Sequence, residues 1–385
     1  MSNIVYKDYI LKGATIFNGE SCINNHNIVI SNGYIADIIP QNTNNCNFKE
    51  YNLSGLTISA GFIDLQINGC GGVLFNDDIS ANSLQIMKET NLKYGCTSFL
   101  PTLITTTQDK IIKALQVVYD YHTKYPNCVL GIHIEGPYIS KIKKGAHNAS
   151  YIKPIDIDMV NILCSYAKKM VVKLTIAPEE NSLDLIKILL QGGVKLSIGH
   201  SNATYTEATD GIKAGINLST HLFNAMSAFE GRKPGVVGAI LNSNIYAGII
   251  ADGIHVDYNS INLVKKIKQS KLYLVTDAVS PMGTNITEFV LGDKKVFVKD
   301  DMCINEDGAL AGANIDMMSS IRNCVNFANI NLEESLRMAT IYPANAIENG
   351  NLGRLTKNNL ANLVAFDNNY NVKHTIQDGI LTSYN

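Results

Sequence analysis

Residues 171–200 read VVKLTIAPEENSLDLIKILLQGGVKLSIGH and contain the pattern that decides the fold. Two short apolar runs, VVKLTIAP from Val171 and VKLSIGH from Val194, stand on either side of an amphipathic stretch of helix length, Leu183 to Leu190. A strand, a helix and a second strand in this order are typical of a parallel sheet whose strands are joined by helices.

The same alternation recurs through the middle of the chain. Eight strand–helix units predict a (β/α)8 barrel of the TIM type. An open doubly wound sheet is disfavoured, because neither GxGxxG nor GxxxxGK[ST] occurs in the sequence. The predicted strands are GFIDLQIN from Gly61, TSFLPTL from Thr97, VLGIHIEG from Val129, VVKLTIAP from Val171, VKLSIGH from Val194, INLSTHLF from Ile216, YAGIIADGIH from Tyr246 and LYLVTDA from Leu272.

The two ends of the chain carry strand patterns of another kind. NIVISNGYIADII has two apolar runs around Asn32-Gly33, a strong hairpin signal, and VKHTIQ and ILTSY flank Asp378-Gly379 in the same way. Both ends therefore predict one small β-sandwich domain. The predicted division is a β domain of residues 1–57 and 356–385 and a barrel catalytic domain of residues 58–355.

Composition excludes several functional classes. Of the 385 residues 46% are apolar and 17% charged, the net charge is -2, and no Lys/Arg block stands out, which argues against binding nucleic acid through a basic face. The eight cysteines form no CxxC pair, a usage typical of free thiols in a reducing compartment. The stretch MSNIVYKDYILKG has no signal-peptide hydrophobic region, and no apolar run reaches membrane-spanning length. We expect a cytoplasmic protein with neither a nucleic-acid nor a membrane partner.

Polar residues stand repeatedly at the carboxyl ends of the predicted strands. In a barrel these ends converge on one face, where the active sites of such enzymes lie. Residues that are far apart in sequence would therefore meet. They are Gln66, Asn68, Glu135, His200, His221, His255 and Asp277.

Three of these residues form a set that suits a metal ion. A carboxylate and two imidazoles, here Glu135, His200 and His221, are the protein ligands of a hydrolytic Zn²⁺ site that keeps one position open for water. The alternative is that each side chain is a barrel-interior residue satisfied by hydrogen bonds. His133 faces the same side as Glu135 but one layer deeper, and we expect it to be a packed, hydrogen-bonded core residue.

Asp277 ends the eighth predicted strand, LYLVTDA. An aspartate held beside a cation can accept the proton of a metal-bound water and later pass it to a leaving nitrogen. The alternative is an aspartate that caps the following segment.

Seven motifs together resemble a known family. GFIDLQINGCGGVLFND, HIEGPYI followed by KKGAHN, IGHSNAT, THLFNAM, ADGIHV, LVTDAV and the late ALAG are similar, in order and spacing, to the N-acetylglucosamine-6-phosphate deacetylases of the amidohydrolase superfamily. The resemblance runs from Gly61 to about Leu363. The family's fold is a barrel with a small β domain, as the strand pattern also predicts.

The resemblance implies a role for individual residues. Glu135, His200 and His221 match the metal ligands, and Asp277 matches the catalytic acid and base. Arg232 matches a phosphate-binding arginine that can reach across a dimer interface, although a solvated loop arginine beside Lys233 is the alternative. Asn224 and Ala225 follow the sixth strand, where backbone N–H groups at a helix start could hold an anion. The other substrate-contacting matches are Ala146, His147, Asp252, Gly253, Ile254, His255, Leu310, Ala311 and Gly312.

One departure from the superfamily pattern bears on metal number. Many amidohydrolases begin with His-x-His at the first strand and bind two metals, whereas this chain has Gln66-Ile67-Asn68. Amides are poor metal ligands, so we expect these two residues to be neighbours of a single divalent ion. Zinc is the first choice, and iron, manganese and cobalt are accepted by the same ligand types.

The implied activity is hydrolysis of N-acetyl-D-glucosamine 6-phosphate to D-glucosamine 6-phosphate and acetate, in amino-sugar catabolism, by a homodimer. Metal-bound water attacks the amide carbonyl, Asp277 acts as general base and then acid, and His147 or His255 helps to polarise the carbonyl. Two alternatives stay open: a related amidohydrolase acting on another amide, a cyclic ureide or a deaminase substrate, and a non-catalytic barrel that senses an amino-sugar phosphate.

Overall fold

The computed structural model describes residues 8–43 and 48–384. Residues 1–7 of the stretch MSNIVYKDYILKG, and Cys46, lie outside the described residues.

The centre of the molecule is an eight-stranded parallel barrel. Each strand pairs with its neighbours in chain order, and the first strand also pairs with the segment after the last through a parallel bridge between Ile67 and Ala278. The N–H of Asp277 donates to the Gln66 carbonyl at 2.9 Å, which closes the ring. The barrel strands are β8 (Phe62–Ile67), β11 (Cys96–Ile104), β12 (Gly131–Glu135), β13 (Val171–Ile176), β14 (Lys195–Ile198), β15 (Leu218–Ser219), β16 (Tyr246–Ile249) and β17 (Leu272–Leu274).

Helices connect these strands and cover the barrel's outer surface. The eight predicted strands and the barrel fold class are confirmed. Seven helices join consecutive strands, and three follow the last one. They are α1 (Ala81–Lys93), α2 (Gln108–Lys124), α3 (Ile157–Ala167), α4 (Leu183–Gln191), α5 (Tyr205–Ala214), α6 (Gly235–Leu241), α7 (Tyr258–Lys268), α8 (Met317–Asn326), α9 (Leu332–Ala339) and α10 (Ile341–Ala346).

Residues from both ends of the chain form two further sheets. One has the order β5-β4-β1-β6 and the other the order β24-β23-β22-β7-β2-β3, with a shared apolar core of their own. Both predicted hairpins are confirmed, because Asn32-Gly33 and Asp378-Gly379 form turns with positive φ at each residue. The boundary at residues 57 and 58 stays a proposal. The strands are β1 (Tyr9–Lys12), β2 (Thr15–Phe17), β3 (Cys22–Ile23), β4 (His26–Ser31), β5 (Tyr34–Pro40), β6 (Lys49–Asn52), β7 (Thr57–Ala60), β22 (Leu363–Phe366), β23 (Val372–Gln377) and β24 (Ile380–Ser383).

A four-stranded antiparallel sheet is inserted after the eighth barrel strand, and the sequence patterns did not predict it. Its inner side packs Leu291 and Val296 against Ile104 and Val279 at the mouth of the barrel. The sheet consists of β18 (Glu288–Leu291), β19 (Lys294–Lys299), β20 (Met302–Asn305) and β21 (Leu310–Ala313), and a short hairpin, β9 (Gly69–Cys70) with β10 (Val73–Leu74), lies beside the first barrel strand.

Within the described residues, none of the helices combines the length and apolar character needed to cross a bilayer. The cysteines of this part of the chain are free thiols, as their spacing predicts.

The start of helix α5 offers a test of how local sequence stabilises the barrel. Thr204 Oγ1 accepts the Glu207 N–H at 3.3 Å, and Glu207 Oε2 accepts the Thr204 N–H at 2.8 Å, a reciprocal capping box. We expect Thr204→Ala to lower the free energy of unfolding by about 1 kcal/mol, measured by urea denaturation. Thr204→Ser keeps the hydroxyl and is the matched control; an unchanged urea midpoint for the alanine variant would contradict the assignment.

Candidate active site

Three side chains converge at the carboxyl end of the barrel. Glu135 is the last residue of β12, while His200 and His221 each lie two residues beyond the end of β14 and β15. Glu135 Oε1 is 3.1 Å from His200 Nε2 and 2.9 Å from His221 Nε2, and the two Nε2 atoms are 3.1 Å apart. All three residues are buried. The structure therefore brings together the three residues that the sequence suggested as metal ligands.

The chemistry of these three atoms fits a divalent cation. His200 Nδ1 donates to the Lys143 carbonyl at 2.8 Å, which leaves a lone pair on the Nε2 atom that faces Glu135. Burial raises the pKa of Glu135, but the neighbouring His200 and His221 side chains outweigh this effect and hold the pKa of the carboxyl well below its usual range. Ligands of a tetrahedral zinc at about 2.1 Å lie about 3.4 Å from one another, close to the spacing seen here. A buried cluster of this kind could bind a metal.

Two amides link this cluster to Asp277. Gln66 Nε2 lies 3.2 Å from Glu135 Oε1 and 3.1 Å from Asp277 Oδ1, and Asn68 Nδ2 donates to the same aspartate oxygen at 2.7 Å. The amide nitrogens thus bind carboxylates. Because these donors face the carboxylate oxygens, Gln66 and Asn68 hold Asp277 beside Glu135, as neighbours of the metal cluster.

Asp277 is suited to proton transfer. Asp277 follows β17, has a positive φ of 52° and is buried. Burial raises the pKa of the Asp277 carboxyl, and the nearby charge of Glu135 raises it further. A carboxyl whose pKa is raised holds a proton more readily than an ordinary aspartate does, which suits a group that must accept and then return one.

Two more histidines line the same pocket, each oriented by a partner. His147 Nδ1 lies 2.7 Å from Thr105 Oγ1 and accepts the Thr105 N–H at 3.4 Å, so its hydrogen is on Nε2. Burial lowers the pKa of His147 well below its usual range, which keeps the ring neutral. His255 Nδ1 donates to Asp252 Oδ2 at 2.6 Å. Asp252 is itself held by the backbone N–H groups of Ile254 and His255.

The layer beneath the cluster is polar and fully connected. His133 Nε2 is 2.7 Å from Thr175 Oγ1 and His133 Nδ1 is 3.1 Å from Thr102 Oγ1. Thr175 in turn contacts Thr220 at 2.7 Å. His133 is the packed core residue that its position in the strand predicts.

A pocket of about 300 Å³ opens above these groups. Most of the predicted site residues line it, but Gln66, Arg232 and the segment Asp252 to Ile254 do not, and Arg232 is exposed. The lining residues are Asn68, Ile104, Glu135, Ile142, Lys143, Gly145, Ala146, His147, His200, His221, Asn224, Ala225, His255, Asp277, Leu291, Leu310, Ala311 and Gly312.

One part of the predicted anion site is wrong. Asn224 and Ala225 do line the pocket, but they do not begin a helix, because α6 starts at Gly235. Phe223 and Ala225 have φ values of 80° and 50°, which an α-helix cannot accommodate, and the Asn224 N–H already donates to the His221 carbonyl at 3.0 Å. An anion bound at this point would contact a tight turn and would not be stabilised by the dipole of a helix.

The sequence patterns missed five lining residues. Leu291 belongs to the inserted sheet, and Ile142, Lys143 and Gly145 lie on an irregular segment after β12. Ile104 ends β11, the strand beside Glu135, and is apolar like the rest of its strand. Ile104 carried a signal in its place at a strand end, and Lys143 and Gly145 belong to the KKGAHN motif, although no role was assigned to them.

The family models, the related sequences and the solved structures that match this chain agree with one another. The model of the amidohydrolase family matches residues 57–381, and the model of the NagA composite domain matches residues 9–58. The N-acetylglucosamine-6-phosphate deacetylase of Haemophilus influenzae is 42% identical over 96% of this chain and 98% of its own length. The N-acetylgalactosamine-6-phosphate deacetylase of Shewanella sp. is 37% identical over 84% of this chain and 82% of its own. The crystal structure of N-acetylglucosamine-6-phosphate deacetylase from Pasteurella multocida superposes with a TM-score of 0.96, at 44% identity, covering 98% of this chain and all of that one.

Metal content tests the cluster directly. We expect the purified protein to carry close to one divalent ion per chain, and Glu135→Gln to lose most of it, because the ligand set loses its only charge. Asp277→Asn is the matched control, since Asp277 contacts Gln66 and not the three ligand atoms. Mass spectrometry of metals on both variants measures this. Equal metal content in wild type and Glu135→Gln would exclude the cluster as the binding site.

Proposed function

The chain belongs to the amidohydrolase family, and from that premise we propose that it hydrolyses N-acetyl-D-glucosamine 6-phosphate to D-glucosamine 6-phosphate and acetate. The observation that carries the proposal is the single amide of Gln66, whose nitrogen lies within 3.3 Å of both carboxylates, Glu135 of the metal cluster and Asp277. A potential metal ligand and a potential proton acceptor are thereby held next to each other in the wall of one pocket.

Glu135, His200 and His221 would hold one divalent ion. When bound, the ion would lower the pKa of water and polarise the amide carbonyl. We propose zinc, and iron, manganese and cobalt are accepted by the same nitrogen and oxygen ligands. A single ion is favoured because the amide nitrogens of Gln66 and Asn68 face carboxylates where a second metal would need ligands.

Asp277 would take a proton from the attacking water and give it to the amine that leaves. Its carboxyl is buried and hydrogen-bonded by Asn68, and burial raises its pKa, which favours the uptake of a proton. His147 is neutral with its hydrogen on Nε2, and it would donate to the oxygen of the acetyl group as negative charge develops there. One such donor contributes about 3 kcal/mol to catalysis.

The remaining pocket residues would bind the sugar phosphate. His255, oriented by Asp252, and the strand Leu310 to Gly312 would contact the sugar ring. Asn224 and Ala225 would contact the phosphate. Arg232 is exposed and outside the pocket of its own chain, and we propose that it reaches the pocket of a partner subunit in a homodimer. A cytoplasmic location stays a prediction.

The rival substrates can be separated in one assay. A relative at 37% identity is named for the galactosamine epimer, so both N-acetylhexosamine 6-phosphates need to be compared. Acetate release from either, with no turnover of a cyclic ureide, supports the deacetylase. Binding of the sugar phosphate without turnover in metal-loaded protein would support a sensor in its place.

Asp277→Asn tests the proton transfer. We expect the variant to keep fold and metal but to lose about 10³-fold in kcat, because an amide cannot accept the proton. Acetate release and metal content are measured on the same sample, and Asp158→Asn, which alters an exposed carboxylate on α3, is the control that should leave both unchanged. An Asp277→Asn enzyme with wild-type kcat would remove the aspartate from the mechanism.

Mixing two variants tests the role of Arg232. We expect Arg232→Ala to raise KM for the phosphorylated substrate about tenfold, the loss of one charge-assisted contact. A hybrid of Arg232→Ala and Asp277→Asn subunits would contain one pocket with both residues, so low-KM activity should return on mixing and re-association. No recovery in a hybrid proven by mass spectrometry would place Arg232 outside the partner's pocket.

A further inference from the structure

Lys143 is a positively charged residue in the lining of the pocket. The inference rests on the proposed function, in which the substrate carries a phosphate dianion. The proposed divalent ion would offset the two carboxylates of the pocket wall, Glu135 and Asp277, so the phosphate's charge would have to be met by another group. Among the lining residues in the described part of the chain, Lys143 is the only lysine or arginine. We propose that the Lys143 ammonium binds the substrate's phosphate from within the same chain, and so contributes to specificity for phosphorylated sugars.

The backbone of Lys143 is fixed at the site. Its N–H donates to the Ser140 carbonyl at 3.1 Å, and its carbonyl accepts from His200 Nδ1 at 2.8 Å. The Ser140 N–H in turn donates to the His200 carbonyl at 2.8 Å. The backbone of Lys143 is therefore held to His200, one of the proposed metal ligands, both directly and through Ser140.

Lys143 and the turn at Asn224 and Ala225, where we propose that the phosphate binds, contact two consecutive residues, His200 and Ser201. His200 holds the Lys143 carbonyl, and the next residue, Ser201, donates its N–H to the Ala225 carbonyl at 3.2 Å. Both Lys143 and Ala225 line the one pocket. The Lys143 backbone and Ala225 are thus linked through two consecutive residues, His200 and Ser201, and both line the pocket that would receive the phosphate.

The ammonium is available for a ligand. No carboxylate in the described part of the chain pairs with Lys143, whereas Lys153 pairs with Asp156 and Lys195 with Glu348. The side chain is half-buried, so a bound anion would be partly shielded from solvent. A lysine is a point charge with three donors, which suits a phosphate without requiring a fixed plane.

Lys143→Met removes the ammonium but keeps the stem and the backbone carbonyl that orients His200. We expect KM for the 6-phosphorylated substrate to rise about tenfold with kcat nearly unchanged. Turnover of the unphosphorylated sugar should not change, so the preference for the phosphorylated substrate falls by the same factor. Lys141→Met is the matched control, because Lys141 lies on the same 3-10 turn but outside the pocket, and it should leave both values unchanged.

Calorimetric titration with inorganic phosphate gives a readout independent of turnover. Binding that is about tenfold weaker in Lys143→Met than in wild type, at equal metal content, supports the role. Equal phosphate affinity and equal substrate preference in the two proteins overturn it. A wild type that releases no acetate but binds phosphate through Lys143 would refute the proposed function and keep this inference, so the two failures are distinguishable.

Discussion

The fold is arranged around one buried carboxylate. Glu135 sits at the rim of the barrel with two imidazole nitrogens and an amide nitrogen within 3.3 Å. A charged group removed from water costs several kcal/mol unless it is paired or coordinates a metal. The partners come from three separate strands, so the ring of strands must close in the correct register before this charge is compensated. The barrel and the ligand cluster therefore depend on each other.

Backbone geometry concentrates strain where these side chains stand. His200, His221 and Asp277 all have positive φ, a conformation that costs free energy in residues with a side chain. Each of them follows the end of a barrel strand, where the chain turns sharply away from the sheet. Hydrogen bonds hold the three side chains in place, since His200 and His221 contact Glu135, and Asp277 accepts from Gln66 and Asn68.

The sequence predicted what depends on local pattern, and it missed what depends on long-range packing. The alternation of apolar runs specified the eight strands, and the strand ends specified Glu135 and its partners. The sheet β18–β21 was not predicted, because its first two strands are half-exposed and carry lysines and a glutamate, which weakens the apolar pattern. The turn at Asn224 escaped because its positive φ values belong to Phe223 and Ala225, residue types that rarely adopt them. Lys143 lies in the KKGAHN motif but was given no role, because its contact with His200 depends on the path of the chain after β12, which no sequence periodicity specifies.

The choice of amides at the first strand links metal number to proton transfer. Two carboxylates as close as Glu135 and Asp277 repel each other, and the Gln66 amide offsets this by donating towards both. An imidazole that ligated a second metal at this position would have no hydrogen to offer on that nitrogen. Asp277 would then be drawn to the second cation, whose positive charge would lower the pKa of the carboxyl. With an amide in place, Gln66 and Asn68 donate to Asp277, and in the proposed mechanism this would leave the aspartate as a proton carrier and not a metal ligand. The proposed single-metal site and the proposed acid–base role of Asp277 thus both follow from the amide at Gln66.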